Sequence, residues 1–97
     1  MIRYSLPFPP SVNNLFANGK KGRFRTDKYE TWRTLAGQEI MAQGRKRLKG
    51  AVSMSVLAVR PDKRKRDLSN LLKAIEDLLV DMGVIEDDSL IERITIQ

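Results

Sequence analysis

The sequence predicts an α+β fold, a single small domain over residues 1–97 in which two helices pack on a small sheet. Three observations predict it. Short apolar and β-branched runs read as strands near both ends and in the middle. Two longer runs repeat their apolar residues every three or four positions and read as helices. The resulting order, strand, helix, strand, helix, strand, fills a chain of 97 residues, which leaves little room for a second core.

Taken in order, residues 2–6 read as a strand with Ile2, Tyr4 and Leu6 on one face, stopped by Pro7, Pro9 and Pro10. PPSVNNLFANGKKGRF reads as a loop, with Asn18-Gly19 as its turn signal. Lys20, Lys21, Arg23 and Arg25 make this loop a basic arm, interleaved with Phe16 and Phe24. Such an arm suits a grip on phosphates, the plainer alternative being a solvated hairpin. A helix follows from a cap at Thr26 or Asp27, with Tyr29, Trp32, Leu35, Ala36, Glu39 and Ile40 at helical spacing. Trp32 in that stripe is expected in the core rather than stacked on a base.

Gln43-Gly44 weakens the helix, and Arg45, Lys46, Arg47 and Lys49 follow, suited either to a binding surface or to a helix carboxyl end. AVSMSVLAV, residues 51–59, reads as a strand ended by Pro61. Residues 67–82 carry the clearest helical pattern, in Leu68, Leu71, Leu72, Ile75, Leu78, Leu79 and Met82, with Asp67 as N-cap and Gly83 as stop. An acidic turn, Glu86-Asp87-Asp88-Ser89, then leads into a terminal strand over residues 90–96.

Composition narrows the chemistry. There is no cysteine and no histidine, which excludes disulfides, Cys-based zinc sites, His-based triads and imidazole ligands and leaves carboxylates, lysines and hydroxyls. MIRYSLPFPP lacks the apolar stretch of a signal peptide or membrane span, so a soluble cytoplasmic protein with no membrane partner is expected. The net charge of +6 is polarised: residues 1–66 hold 16 Lys and Arg against 4 acids, and residues 67–97 hold 2 against 8. A polyanion, most commonly nucleic acid, is the partner such a chain attracts.

The sign flips within KRKRDLSNLLK, where Lys63, Arg64, Lys65 and Arg66 run into Asp67. Magnesium-dependent nucleases need carboxylates converging on one point, because a hard cation takes oxygen ligands and must also reach a phosphate and a water. Asp67 and the pair Asp87-Asp88 are the two acidic points that a return of the chain to the sheet could bring together. Lys73, six residues after Asp67, could steady phosphate charge if it faces the same cleft. On local physics alone Asp67 is an N-cap and Asp87-Asp88 an ordinary acidic turn.

Four stretches occur in sequence over nearly the whole chain: PFPPSVNNLF after a strand, RPDKRKRD after another, DLSNLLKAIEDLL at a helix start, and GVIEDDSLI before a strand. In this combination the chain resembles the RusA family of phage-type Holliday junction resolvases. The resemblance implies a dimeric endodeoxyribonuclease that uses magnesium, with manganese as a substitute, and resolves four-way or branched DNA by paired nicks during recombination and repair, in a bacterial cell or from a prophage. It also implies that Asp67, Lys73 and Asp88 are catalytic, and that Asp67 and Asp88 hold the metal with Asp87 as a further candidate. Lys20, Lys21, Arg23, Arg25 and Lys63, Arg64, Lys65, Arg66 would then hold DNA, and Asn14 and Asn70 match family asparagines.

Ser69 departs from the family pattern, which has a second aspartate there. A neutral hydroxyl does not replace a carboxylate toward magnesium. Three readings follow: Asp87 or Glu86 supplies the missing oxygen, the chain binds junctions with little cleavage, or the serine is a chance or engineered substitution. Gln97 arrives where relatives commonly continue through another strand, so a compact variant or a shortened chain is expected, with a sheet edge for a dimer partner to cover.

Overall fold

The computed structural model describes residues 2–59 and 68–97. Lys63, Arg64, Lys65, Arg66 and Asp67 lie outside the described residues. The fold is α+β, as the pattern of runs predicts. Two helices, α1 (Asp27–Gln43) and α2 (Leu72–Asp81), pack with four strands, β1 (Phe16–Gly19), β2 (Gly22–Arg25), β3 (Val52–Val56) and β4 (Ile91–Ile96). The strands pair two by two, β1 with β2 and β3 with β4.

The basic arm is the antiparallel hairpin β1-β2, in register from Phe16↔Arg25 to Gly19↔Gly22. Its two-residue loop is therefore Lys20-Lys21, two positions beyond the Asn18-Gly19 signal. Gly22 makes this tight closure at φ +110°, a value that disfavours any side chain. Thr26 closes the base of the hairpin and starts α1 at once. Its backbone N–H donates to Leu15 O (3.0 Å), its hydroxyl donates to Asn14 O (2.6 Å), and Oγ1 accepts from the Tyr29 N–H (3.2 Å). Asn14 thus has a structural task, carrying the short 3-10 turn Val12–Asn14 onto the helix start.

Tyr29, Trp32, Ala36 and Ile40 lie on one stripe of α1 and are buried. They meet Ala74, Ile75 and Leu78 of α2, Leu15, and the Val84-Ile85 pair in the core. Gly83, at φ +75°, ends α2 and turns Val84 and Ile85 back inward. The clear helical pattern over residues 67–82 resolves into a 3-10 turn, Leu68–Leu71, followed by α2. Spacing of i, i+3 satisfies both geometries, so periodicity alone does not separate them.

β3 and β4 run parallel with α2 as the crossover, the length of connection that parallel pairing requires. A bulge between Val52 and Ser53 shifts the register, pairing Ser53↔Arg93, Met54↔Ile94, Ser55↔Thr95 and Val56↔Ile96. The polar pairs therefore share one face and the apolar pairs the other, with Val52, Met54, Val56 and Ile91 against the core.

Residues 2–6 form no strand, contrary to their alternating pattern. Their backbone finds a side chain in place of a ladder: the Ser5 N–H donates to Gln43 Oε1 (2.8 Å) and Gln43 Nε2 donates to Ser5 O (2.8 Å). Tyr4 and Leu6 still pack on the core, and the Trp32 Nε1–H donates to Pro7 O (2.9 Å). Two of the three alternating apolar residues thus face the core while Ile2 stays exposed, and hydrogen-bond demand is met another way.

Candidate functional site

Among the described residues two recesses bear on the site. The larger, about 810 Å³, lies between residues 2–9 and β3 and is walled mostly by apolar side chains. The smaller, about 330 Å³, lies between the hairpin, α1, α2 and the acidic turn, and gathers Arg25, Arg33, Asp77, Asp81, Asp87 and Asp88 around Phe16, Tyr29 and Val80. Hydrolytic chemistry without histidine or cysteine needs carboxylates and cations, so the smaller cleft is the candidate site.

Its scaffold is a set of ion pairs. Arg33, projecting from α1 with its side chain only 16% exposed, places Nη2 2.6 Å from Asp81 Oδ2 at the end of α2. Its Nη1 donates to Tyr29 Oη at 3.4 Å. Burial lowers the Arg33 pKa, but the bonds to Tyr29 and Asp81 more than offset it, and the net direction is upward. Arg25 of β2 reaches Glu30 at 3.3 Å and the same Asp81 oxygen at 3.9 Å. Asp81 thus ties hairpin, α1 and α2 together on one side of the cleft.

Lys73 stands on the first turn of α2, with Nζ 3.1 Å from Asp77 Oδ1 one turn later. Asp77, by hydrogen bond and charge, raises the Lys73 pKa, and Asp88 and Glu76 add to the effect. The structure therefore brings Asp88, from the 3-10 turn Asp88–Leu90, into the field of Lys73. Glu76 lies in the same field: burial first, then the Asp88 charge, pushes its carboxyl pKa up. Asp87, fully exposed, is held below the ordinary aspartate value chiefly by the Ser89 hydroxyl, which donates to Oδ2 at 2.5 Å.

Of the residues expected in a site, Asp87, Asp88 and Arg25 line the cleft, and Lys73 pairs at 3.1 Å with Asp77, which lines it too. Lys20 and Lys21 are exposed at the hairpin tip. Arg23 lies over the Phe16 ring, 4.0 Å from its centroid. Ser69 is exposed in the turn before α2. Lys63, Arg64, Lys65, Arg66 and Asp67 are outside the described residues, so their place in the site rests on sequence. Glu86 Oε1 accepts the Gly50 N–H at 2.7 Å and so anchors the loop before β3. Sequence reasoning missed Arg33, Glu76, Asp77 and Asp81. Asp77 was findable from its spacing of four after Lys73, whereas Arg33 and Asp81 are 48 residues apart with no local signal.

Among the described residues no three acidic side chains converge closely enough to hold a metal ion. The donors present, exposed carboxylate oxygens at Asp87 and Asp88, have the chemistry a hard divalent cation takes. They need a further carboxylate to complete a site, and Asp67 is the residue the sequence offers. Among the described residues no helix is long and apolar enough to cross a membrane.

Arginines and carboxylates thus share one cleft of this small basic α+β chain. The family profile described as "Endodeoxyribonuclease RusA" matches residues 7–97, and the chain belongs to that family of endodeoxyribonucleases. It is 32% identical over 96 residues to a crossover junction endodeoxyribonuclease of Enterobacteria phage HK97, covering 97% of this chain and 79% of the phage protein. It is 33% identical over 92 residues to a crossover junction endodeoxyribonuclease of Aquifex aeolicus, covering 89% of this chain and 68% of that protein.

Proposed function

We propose that this chain is a magnesium-dependent endonuclease that resolves four-way DNA junctions by paired nicks, acting as a homodimer. The observation that supports the reading is the cleft that holds Asp88 with Asp87 and Asp77, where Asp77 Oδ1 lies 3.1 Å from Lys73 Nζ. Lys73 and Asp88 stand at the positions of the family's catalytic lysine and later aspartate in the resemblance. The relatives' names support the junction as substrate.

In this reading Asp67 and Asp88 hold the cation, and Asp87, lining the cleft beside Asp88, supplies the oxygen that Ser69 lacks. Glu86 is the weaker substitute, because one of its oxygens is engaged by Gly50. Bound magnesium, or manganese in its place, would polarise the scissile phosphate and acidify an attacking water. Lys73 Nζ, kept protonated by Asp77, sits ready to balance the charge that builds on the phosphoryl oxygens. Lys20, Lys21, Arg23 and Arg25 on the hairpin and Lys63, Arg64, Lys65, Arg66 before Asp67 hold flanking phosphates, which makes affinity fall steeply with salt.

A second reading, a junction binder with little cleavage, is favoured by Ser69, a neutral hydroxyl where the family has an aspartate. Incubation of the protein with a synthetic four-way junction and with the matching linear duplex, with and without magnesium, separates the two. Symmetric nicks in the junction alone, abolished by Asp67→Asn or Asp88→Asn, are expected. Equal cutting of duplex and junction would remove the structure selectivity, and salt-sensitive binding without product would establish the binder.

A further inference from the structure

The two faces of the β1-β2 hairpin have different fates. Phe16, Asn18, Arg23 and Arg25 share one face by the pairing register. That face is docked: Phe16 meets Tyr29 edge-on at 5.7 Å, Arg23 covers Phe16 at 4.0 Å, and Arg25 reaches Glu30 and Asp81. The opposite face holds Ala17, Gly19, Gly22 and Phe24. The Phe24 ring passes close to Gly19, where an added Cβ would stand 2.9 Å from it. Phe24 remains 52% exposed, and it is the one large apolar side chain of this face.

An exposed aromatic ring is costly to leave in water, and here it stands beside a hairpin tip that carries the exposed Lys20 and Lys21. Cations that follow a phosphate backbone, with an aromatic ring between them, make up the usual stacking platform for a nucleobase. Bases inside a duplex are covered on both faces by their neighbours. At a branch point the stack is interrupted and a base face becomes available at little unstacking cost. We propose that Phe24 is a specificity-determining residue that stacks on a base exposed at the branch point, so that the hairpin distinguishes branched from linear DNA. The inference rests on the junction reading above. It assigns the phosphates to the cations and the recognition of branching to the ring, with Gly19 leaving room for the ring.

The test uses the full chain as wild type, Phe24→Ala, Phe24→Leu and Phe24→Trp, without divalent metal so that no strand is cut. Binding to a four-way junction and to the matching duplex is measured by fluorescence anisotropy, and 2-aminopurine at the branch point reports base unstacking. Phe24→Ala and Phe24→Leu are expected to weaken junction binding by roughly 5- to 150-fold, the worth of one stacked base, and to leave duplex binding within about twofold. Both are expected to lose the 2-aminopurine response, and Phe24→Trp to keep it. Leucine retains the apolar contact with Gly19, so its loss of junction binding cannot come from an unfolded arm; matched circular dichroism melts check this for alanine. Unchanged junction affinity in both Ala and Leu variants overturns the inference while the junction reading stands. Equal losses on junction and duplex, or a change of oligomeric state in the variants, also overturn it. A wild type that binds junction and duplex alike overturns the junction reading, and the inference with it.

Discussion

Asp81→Asn removes one charge from the point where hairpin, α1 and α2 meet, and leaves the side-chain volume unchanged. Its partner Arg33 is only 16% exposed, at 2.6 Å, so the arginine would lose the charge of its closest acceptor in a place that water reaches poorly. A hydrogen bond to a charged group contributes about 1.5–3 kcal/mol when desolvated. Asp81 itself is 48% exposed, and exposed pairs contribute under about 1 kcal/mol. The intermediate burial gives about 1–2 kcal/mol, and the 3.9 Å contact with Arg25 adds little. For a domain of this size each kcal/mol moves the melting midpoint by about 4–8 °C, so Asp81→Asn should melt about 4–16 °C lower by circular dichroism. Arg33→Met should fall by a similar amount, and the double variant by less than the two together, since the second change removes a partner already alone. Melting within 1–2 °C of wild type, or strict additivity in the double variant, would refute the view that this network supports the cleft.

Lys73→Ala should lower junction cleavage by about 10²–10³-fold, the usual worth of a group that meets developing charge. Because the Asp77 pair is an exposed i, i+4 contact, the free energy of unfolding should change by no more than about 0.5 kcal/mol; a large stability loss would make Lys73 structural. Ser69→Asp should raise manganese affinity in calorimetry by roughly 10- to 100-fold and Asp87→Asn should lower it comparably; indifference to both would remove Asp87 and position 69 from the metal site. Ser89→Ala should let the Asp87 carboxyl, now depressed by that hydroxyl, titrate closer to the ordinary aspartate value in carbon-detected NMR. The sign follows from the depression: the hydroxyl's stabilising effect is complete above the ordinary aspartate pKa and is lost as pH falls through the lower, folded-state value. An unmoved titration would show that the Ser89 bond does not form in solution.

Local chemistry made the start of α1 legible, because a threonine before an aromatic stripe is sufficient to define a cap, and Thr26 is the cap. The apolar stripe of α2 was equally plain, and so was the strand after the acidic turn. The hairpin was half legible. Asn18-Gly19 announced a turn, yet Gly19 pairs across to Gly22 and Lys20-Lys21 turn instead, since a glycine can end a strand as readily as it can bend one. Residues 2–6 carried a strand's alternation without a strand's partner; alternation reports which face is buried and is silent on who satisfies the backbone. Among residues that line the cleft, Arg25, Asp87 and Asp88 carry a motif or charge signal in the sequence. The Arg33–Asp81 pair carries none, because a contact across 48 residues depends on how two helices lie together.

The Gln43 side chain that holds Ser5 has a kinetic consequence. Its amide gives Ser5 both hydrogen bonds and sits on the last residue of α1, where helices unwind most readily. A segment clamped by a helix end opens when that end frays, so the Ser5 amide should exchange with solvent at the rate of the final turn of α1 rather than that of the β3-β4 pair. The amino-terminal segment and the carboxyl end of α1 would therefore behave as one cooperative unit, joined by a side chain in place of a ladder.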